Sequence, residues 1–255
     1  MNTFLFLIYP YIALSVLFLG SIARYDRDPF TWKSSSSQLL RTTQFRIGSI
    51  LFHVGILTIF FGHLVGLFTP LPLLAAMGIG HEAKQILAMV VGGVAGLAAI
   101  VGGAILFHRR WTDPRIRINS SFADIAILGL LLAQLLLGLF TIFISAQHLD
   151  GEEMVKFMHW AQGIVIFRPV PVDQIASVSI IFKLHIFLGL TIFLLVPFTR
   201  LVHIASGFFA PLRYLFLRPG YQLVRSRRSK PLPPRTDSDV AKARIAAAKR
   251  PTAAE

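Results

Sequence analysis

A chain of 255 residues with a mean hydropathy of +0.67, 55% hydrophobic and only 15% charged residues, reads as lipid-solvated, because a soluble domain carries about 25% charged residues. It has no cysteine, which excludes disulfides, covalently attached c-type haem and cysteine-ligated zinc or iron–sulfur clusters. The formal net charge of +13 is uneven, with nine Lys or Arg residues between Arg225 and Arg250, so membrane topology accounts for it better than nucleic-acid binding does.

Apolar runs of about 20 residues are long enough to cross a hydrocarbon core of about 30 Å as helices. Without alternation they predict helices rather than strands. The first run, Phe4–Ala23, has no basic segment before it and no small-residue cleavage pattern after it, and is expected to be a retained spanning helix. Pro10 should kink it. The following loop is basic, with Arg24, Arg27, Lys33, Arg41 and Arg46. The second run is Ile47–Thr69, and the loop from Pro70 to Ala83 holds no Lys or Arg. The third run, Gln85–Phe107, contains the pair Gly92 and Gly96, a spacing that admits a close helix or a flat ligand. Arg109, Arg110, Arg115 and Arg117 follow it. The fourth run is Phe122–Ser145. The loop after it carries Lys156 and Arg168 against Asp150, Glu152, Glu153 and Asp173. Within that loop Met154–Phe167 mixes aromatic and polar residues and is expected to form an interfacial helix. The fifth run, Val178–Ala205, contains Pro197, which should kink it, and leads to further cations at Arg213 and Arg218. The expected fold is therefore an all-α membrane protein, a five-transmembrane-helix bundle. The positive-inside rule puts the N-terminus on the periplasmic side and the C-terminus in the cytoplasm. Residues 1–225 form the membrane domain. Residues 226–255, rich in Arg, Lys, Ala, Pro and Ser, form a basic tail expected to be disordered.

Four of the eight histidines lie within the runs, His53 and His63 in the second, His185 and His203 in the fifth. A single buried histidine is ordinarily a hydrogen-bonded structural residue. Two pairs on two helices are different, since an ionisable group at membrane depth is costly. His53 and His63 are about 15 Å apart along a helix axis and His185 and His203 about 27 Å, which is five turns and one face. The second and fifth runs are antiparallel, so depth pairs His63 with His185 on the outer side and His53 with His203 on the inner side. Neutral imidazole is a good axial ligand for iron. A bare zinc or copper ion needs more close ligands than two. Two non-covalent haem b groups are therefore the expected cofactors, with Gly55, Gly62, Gly66 and Gly189 leaving room beside the histidines. Arg110, Tyr25 and Arg200 lie on the inner side and have two readings, as partners of haem propionates or as ordinary topology signals. Lys84, at the outer start of the third run, is either an interfacial snorkelling lysine or a hydrogen-bond donor to a ligand oxygen.

Tyr9-Pro10-Tyr11-Ile12, Arg24-Tyr25-Asp26, Phe52-His53-Val54-Gly55-Ile56-Leu57, Gly62-His63, Lys84-Gln85, Ser145-Ala146-Gln147-His148, Leu184-His185, Arg200-Leu201-Val202-His203-Ile204 and Tyr221-Gln222-Leu223-Val224-Arg225 resemble the gamma subunit of respiratory membrane-bound nitrate reductase, a cytochrome b. The resemblance covers residues 1 to about 225. It implies haem iron held by His53, His63, His185 and His203. It implies a quinol site, for ubiquinol or menaquinol, at Gly62, His63 and Lys84. It also implies a cytoplasmic iron–sulfur beta subunit, a molybdenum catalytic alpha subunit, and residence in the bacterial inner membrane. The membrane cytochromes of heterodisulfide-reductase-like and sulfite-reduction complexes share the histidine arrangement and are the alternative within redox proteins. A proton-coupled transporter finds no support, because no inverted repeat or pair of broken helices stands out.

Overall fold

The computed structural model describes residues 1–28, 31–32, 42–168 and 171–205, and these residues are helices and turns with no strand among them. The expected tail, its boundary at 225 and the Tyr221–Arg225 match lie outside the described residues. Five helices are long and apolar enough to cross a membrane. They are α1 (Phe4–Arg27), α2 (Thr42–Phe68), α3 (His81–Thr112), α4 (Phe122–Ser145) and α6 (Ile180–Leu195, continued by a 3-10 turn to Phe198). A sixth helix, α5 (Glu152–Val165), lies between α4 and α6. Large apolar side chains point outward along the spans, among them Val54, Val94 and Phe143 at 61%, 68% and 69% exposure. Such a surface is soluble only in lipid.

α2 and α3 make the closest contact in the bundle. A Cβ on Gly102 would collide with the backbone nitrogen of Phe52, and one on Gly55 would sit 2.5 Å from the Ala95 carbonyl oxygen. Small residues let the two backbones approach, which is how apolar helices associate without a hydrophobic driving force between them. Gly55 is thus a packing residue rather than clearance for a cofactor. The close-approach residues of α3 are Ala95, Ala99 and Gly102, whereas Gly92 faces open space and Gly96 meets Leu139 of α4. Phe52, Ala99, Leu128 and Leu135 form the buried cluster joining α2, α3 and α4. We expect Gly102→Val to destabilise the bundle by about 1–3 kcal/mol through overpacking, read as a lowered thermal denaturation midpoint in detergent. An unchanged midpoint would show that the two helices can separate at no cost.

Proline shapes α1 and the end of α6 in different ways. In α1 the helix passes through π turns at Phe4–Ile8 and Val16–Gly20 on either side of Tyr9–Ser15. Pro10 has no N–H to give the Phe6 carbonyl four residues earlier. The indole Nε1 of Trp160 donates to that carbonyl at 2.8 Å. The helix expected over Met154–Phe167 is present as α5, packed over the ends of α1 and α2 with its Met158, Ala161 and Ile164 buried. Gln162 donates to the Leu67 and Thr69 carbonyls at 2.8 and 3.3 Å. At the other end of the chain the fifth run, expected to be one helix kinked at Pro197, is interrupted instead. α6 ends at Leu195, Val196–Phe198 is a 3-10 turn, Thr199 is extended (φ −122°, ψ 179°), and a second 3-10 turn spans Arg200–Val202. The five-turn spacing from His185 to His203 therefore does not run along one axis.

Candidate functional site

The structure brings His53, His63, His185 and His203 together in two pairs. The ring centroids of His63 and His185 are 6.2 Å apart with planes at 35°. Those of His53 and His203 are 6.4 Å apart at 66°. A transition metal binds an imidazole nitrogen at about 2.0 Å, and the ring centre lies about 1 Å behind that nitrogen, so two rings sharing one metal have centroids about 6 Å apart. Both pairs have that separation.

The tautomers also suit ligation. Nδ1 of His53 donates to the Ser49 carbonyl at 2.7 Å, Nδ1 of His63 to the Ile59 carbonyl at 2.9 Å, and Nδ1 of His203 to the Arg200 carbonyl at 2.6 Å. A carbonyl can only accept, so Nδ1 carries the proton and Nε2 is left with its lone pair. That is the arrangement in which a second-shell oxygen orients a metal-binding ring. His185 differs. Its Nδ1 is buried with no hydrogen-bond partner. Gln134 of α4 donates to the His185 carbonyl at 3.0 Å and makes a long 3.4 Å contact with Nε2. Gly138, one turn along α4, faces the same ring, and a Cβ there would lie 3.1 Å from its Cε1. Gln134 was not singled out by the sequence reading. The signal was available, as a lone amide in the middle of an apolar span.

Among the described residues no three His, Cys, Asp or Glu side chains converge as a metal group. Two imidazoles alone would be too few for a bare metal ion, but each pair would hold an iron whose other donors come from a flat macrocycle. Around His63 there is space for one, because a Cβ on Gly62 or Gly66 would meet nothing within 4 Å. The spacing of both pairs and the proton positions on His53, His63 and His203 thus suit ligands of a haem iron, and the open ground is beside His63.

Lys84 lies in the first turn of α3 but does not reach out to the interface. It is 9% exposed, and its Nζ donates to the Gly66 carbonyl at 2.7 Å and contacts Met158 Sδ at 3.0 Å. The Gly66 carbonyl needs a donor because residue 70, four positions on, is proline. Next to it Gln85 donates to the carbonyls of Ser145 and His148 at 2.9 and 2.8 Å and so closes the end of α4. At the end of α3, Arg110 is buried and donates to Ser120 Oγ at 3.1 Å. Arg200 faces Asp124 at 3.8 Å, and Tyr25 is half exposed with its ring edge-on to Trp32. Lys183 donates to the Ala176 carbonyl. His108, His148 and His159 are exposed.

Comparison with known proteins agrees in one direction. The family model described as "Nitrate reductase gamma subunit" matches residues 2–227. The respiratory nitrate reductase 2 gamma chain of Escherichia coli (strain K12) is 51% identical over 228 residues, which is 89% of this chain and 98% of that protein. The respiratory nitrate reductase 1 gamma chain of the same strain is 47% identical over 227 residues, again 89% and 98%. The nitrate reductase gamma chain of Bacillus subtilis (strain 168) is 40% identical over 208 residues, 82% of this chain and 92% of the relative.

Proposed function

Because the chain belongs to the nitrate reductase gamma subunit family, a multi-pass membrane component of an oxidoreductase complex, we propose that it oxidises quinol on the periplasmic side and delivers the electrons to a cytoplasmic iron–sulfur beta subunit that feeds a molybdenum alpha subunit. The observation that carries this reading is the pair of imidazole couples, 6.2 and 6.4 Å between centroids. His53 and His63 stand about 15 Å apart along α2, so the couples lie at two depths.

Haem b, when bound at each couple, supplies the single-electron relay between a two-electron quinol donor and the partner's cluster. The chain's own residues do the rest. His63 and His185 hold the outer group, and His53 and His203 the inner. Gly62 leaves open ground beside the outer couple. Lys84, one α2 turn away through the Gly66 carbonyl, offers its ammonium to a quinol oxygen, favouring loss of the hydroxyl proton. Arg110, buried on the inner side, is suited to a propionate. The positive-inside distribution of Arg and Lys supports an inner-membrane orientation with the N-terminus in the periplasm. Protons are then left outside while electrons move inward, and each charge crosses against about 2.3 kcal/mol per 100 mV.

The test uses membranes containing the whole complex. A reduced-minus-oxidised spectrum should show low-spin b-type bands at two haems per chain. Nitrate added to the quinol-reduced membranes should reoxidise them. Absence of haem would end the reading. Haem that ignores nitrate would redirect it to another terminal acceptor.

A further inference from the structure

The break after Leu195 leaves two carbonyls without their helical donors. The Pro197 carbonyl would take the N–H of Leu201 in a continued helix, but that N–H goes to Thr199 Oγ1 at 3.3 Å. The Thr199 carbonyl would take the N–H of His203, which points instead to the carbonyls of Arg200 and Leu201. Pro197 and Thr199 are buried, and a buried carbonyl left unpaired is costly. Both are met by one side chain. Arg24, near the end of α1, donates through Nη1 to the Pro197 and Thr199 carbonyls at 2.8 Å each. Its Nε and Nη2 donate to Thr31 Oγ1 and the Thr31 carbonyl at 3.2 and 3.0 Å. Four of the five N–H donors of the guanidinium fork, a rigid planar donor set, are thus engaged. α1 is pressed against the same break, since a Cβ on Gly20 would lie 2.9 Å from Pro197 Cγ.

His203 follows directly. The turn Arg200–Val202 starts at Thr199, and its first carbonyl holds His203 Nδ1. We infer that Arg24 is a positioning residue for the inner couple: by closing the two carbonyls of the α6 break it sets the turn that aims His203 at His53. The inference rests on the proposed haem function. It goes beyond that reading by giving the first span, which contributes none of the four histidines, a defined part in building the inner site. Read from the sequence, Arg24 was one cation among five in a basic loop.

The experiment compares Arg24→Ala, Arg24→Lys and Gly20→Val with the parent in membranes containing the complete enzyme. Haem per chain and the low-temperature spectra of the two sites are measured separately from turnover. Arg24→Ala should bring the stoichiometry from two towards one, with the inner signal lost or broadened and the outer signal kept. Arg24→Lys, which retains a donor, should recover part of the inner signal. Gly20→Val, which disturbs the same contact without removing a charge, should give the same selective loss and decides the matter if Arg24→Ala does not accumulate. Both signals intact in Arg24→Ala and Gly20→Val, or both lost in equal proportion, would overturn the inference. A parent chain without haem would instead overturn the proposed function.

Discussion

His185→Ala should abolish one of two low-spin b-type signals and leave the other, and His53→Ala should abolish the complementary one. The expectation follows from the separation of the couples. His185 meets His63 and His203 meets His53, and no ring is shared between them. Losing one imidazole would leave the iron of the proposed haem with a single protein ligand, so its low-spin signal should be lost whether or not the porphyrin stays. Quinol-dependent nitrate reduction should fall to background in both variants, since the proposed relay has no bypass. They should differ under quinol. With His185 replaced, the remaining inner haem should stay oxidised. With His53 replaced, the outer haem should become reduced and remain so, because electrons enter but cannot leave. Redox-poised spectra of membranes distinguish these outcomes, and dithionite reports total haem. Two undiminished signals in either variant would remove the histidine couples from the account.

The parts of the fold that were legible before the structure are those that depend on composition over many residues. The run Phe122–Ser145 coincides with α4, because Ser121 and Asp124 form a capping box at one end and the apolar run simply stops at the other. The pairing of His63 with His185 could be read from depth and antiparallel order alone. What could not be read were the places where one segment repairs another. Pro197 was visible as a disturbance. That the helix ends there, rather than bending, depends on Arg24 supplying donors from 173 residues away. Pro10 was equally visible, but Trp160 as the donor to Phe6 was not. Gly55 and Gly62 look alike in sequence, seven residues apart on one helix. One is pressed against α3 and the other faces open space, a difference set by the crossing of two helices and not by either alone.

Lys84 shows the same ambiguity at the site itself, and it carries the second large expectation. As a structural residue it caps the Gly66 carbonyl. Yet an ammonium has three donors, and its other contact is the thioether of Met158, a weak acceptor. A buried cation with a single strong acceptor among the described residues is under-satisfied, which favours an oxygen-bearing ligand in the proposed quinol site. Lys84→Met keeps the length of the side chain and removes every donor. We expect quinol oxidation to fall by about 10²-fold while both haems remain present and reducible by dithionite. Lys84→Arg, which restores donors in a different geometry, should recover part of the rate, with a changed KM for quinol. If capping were the whole role, Lys84→Met would lower haem content or thermal stability and leave the rate per intact complex unchanged. The two roles are therefore separated by dividing the turnover by the haem content, and a wild-type quotient would strike Lys84 from the quinol site.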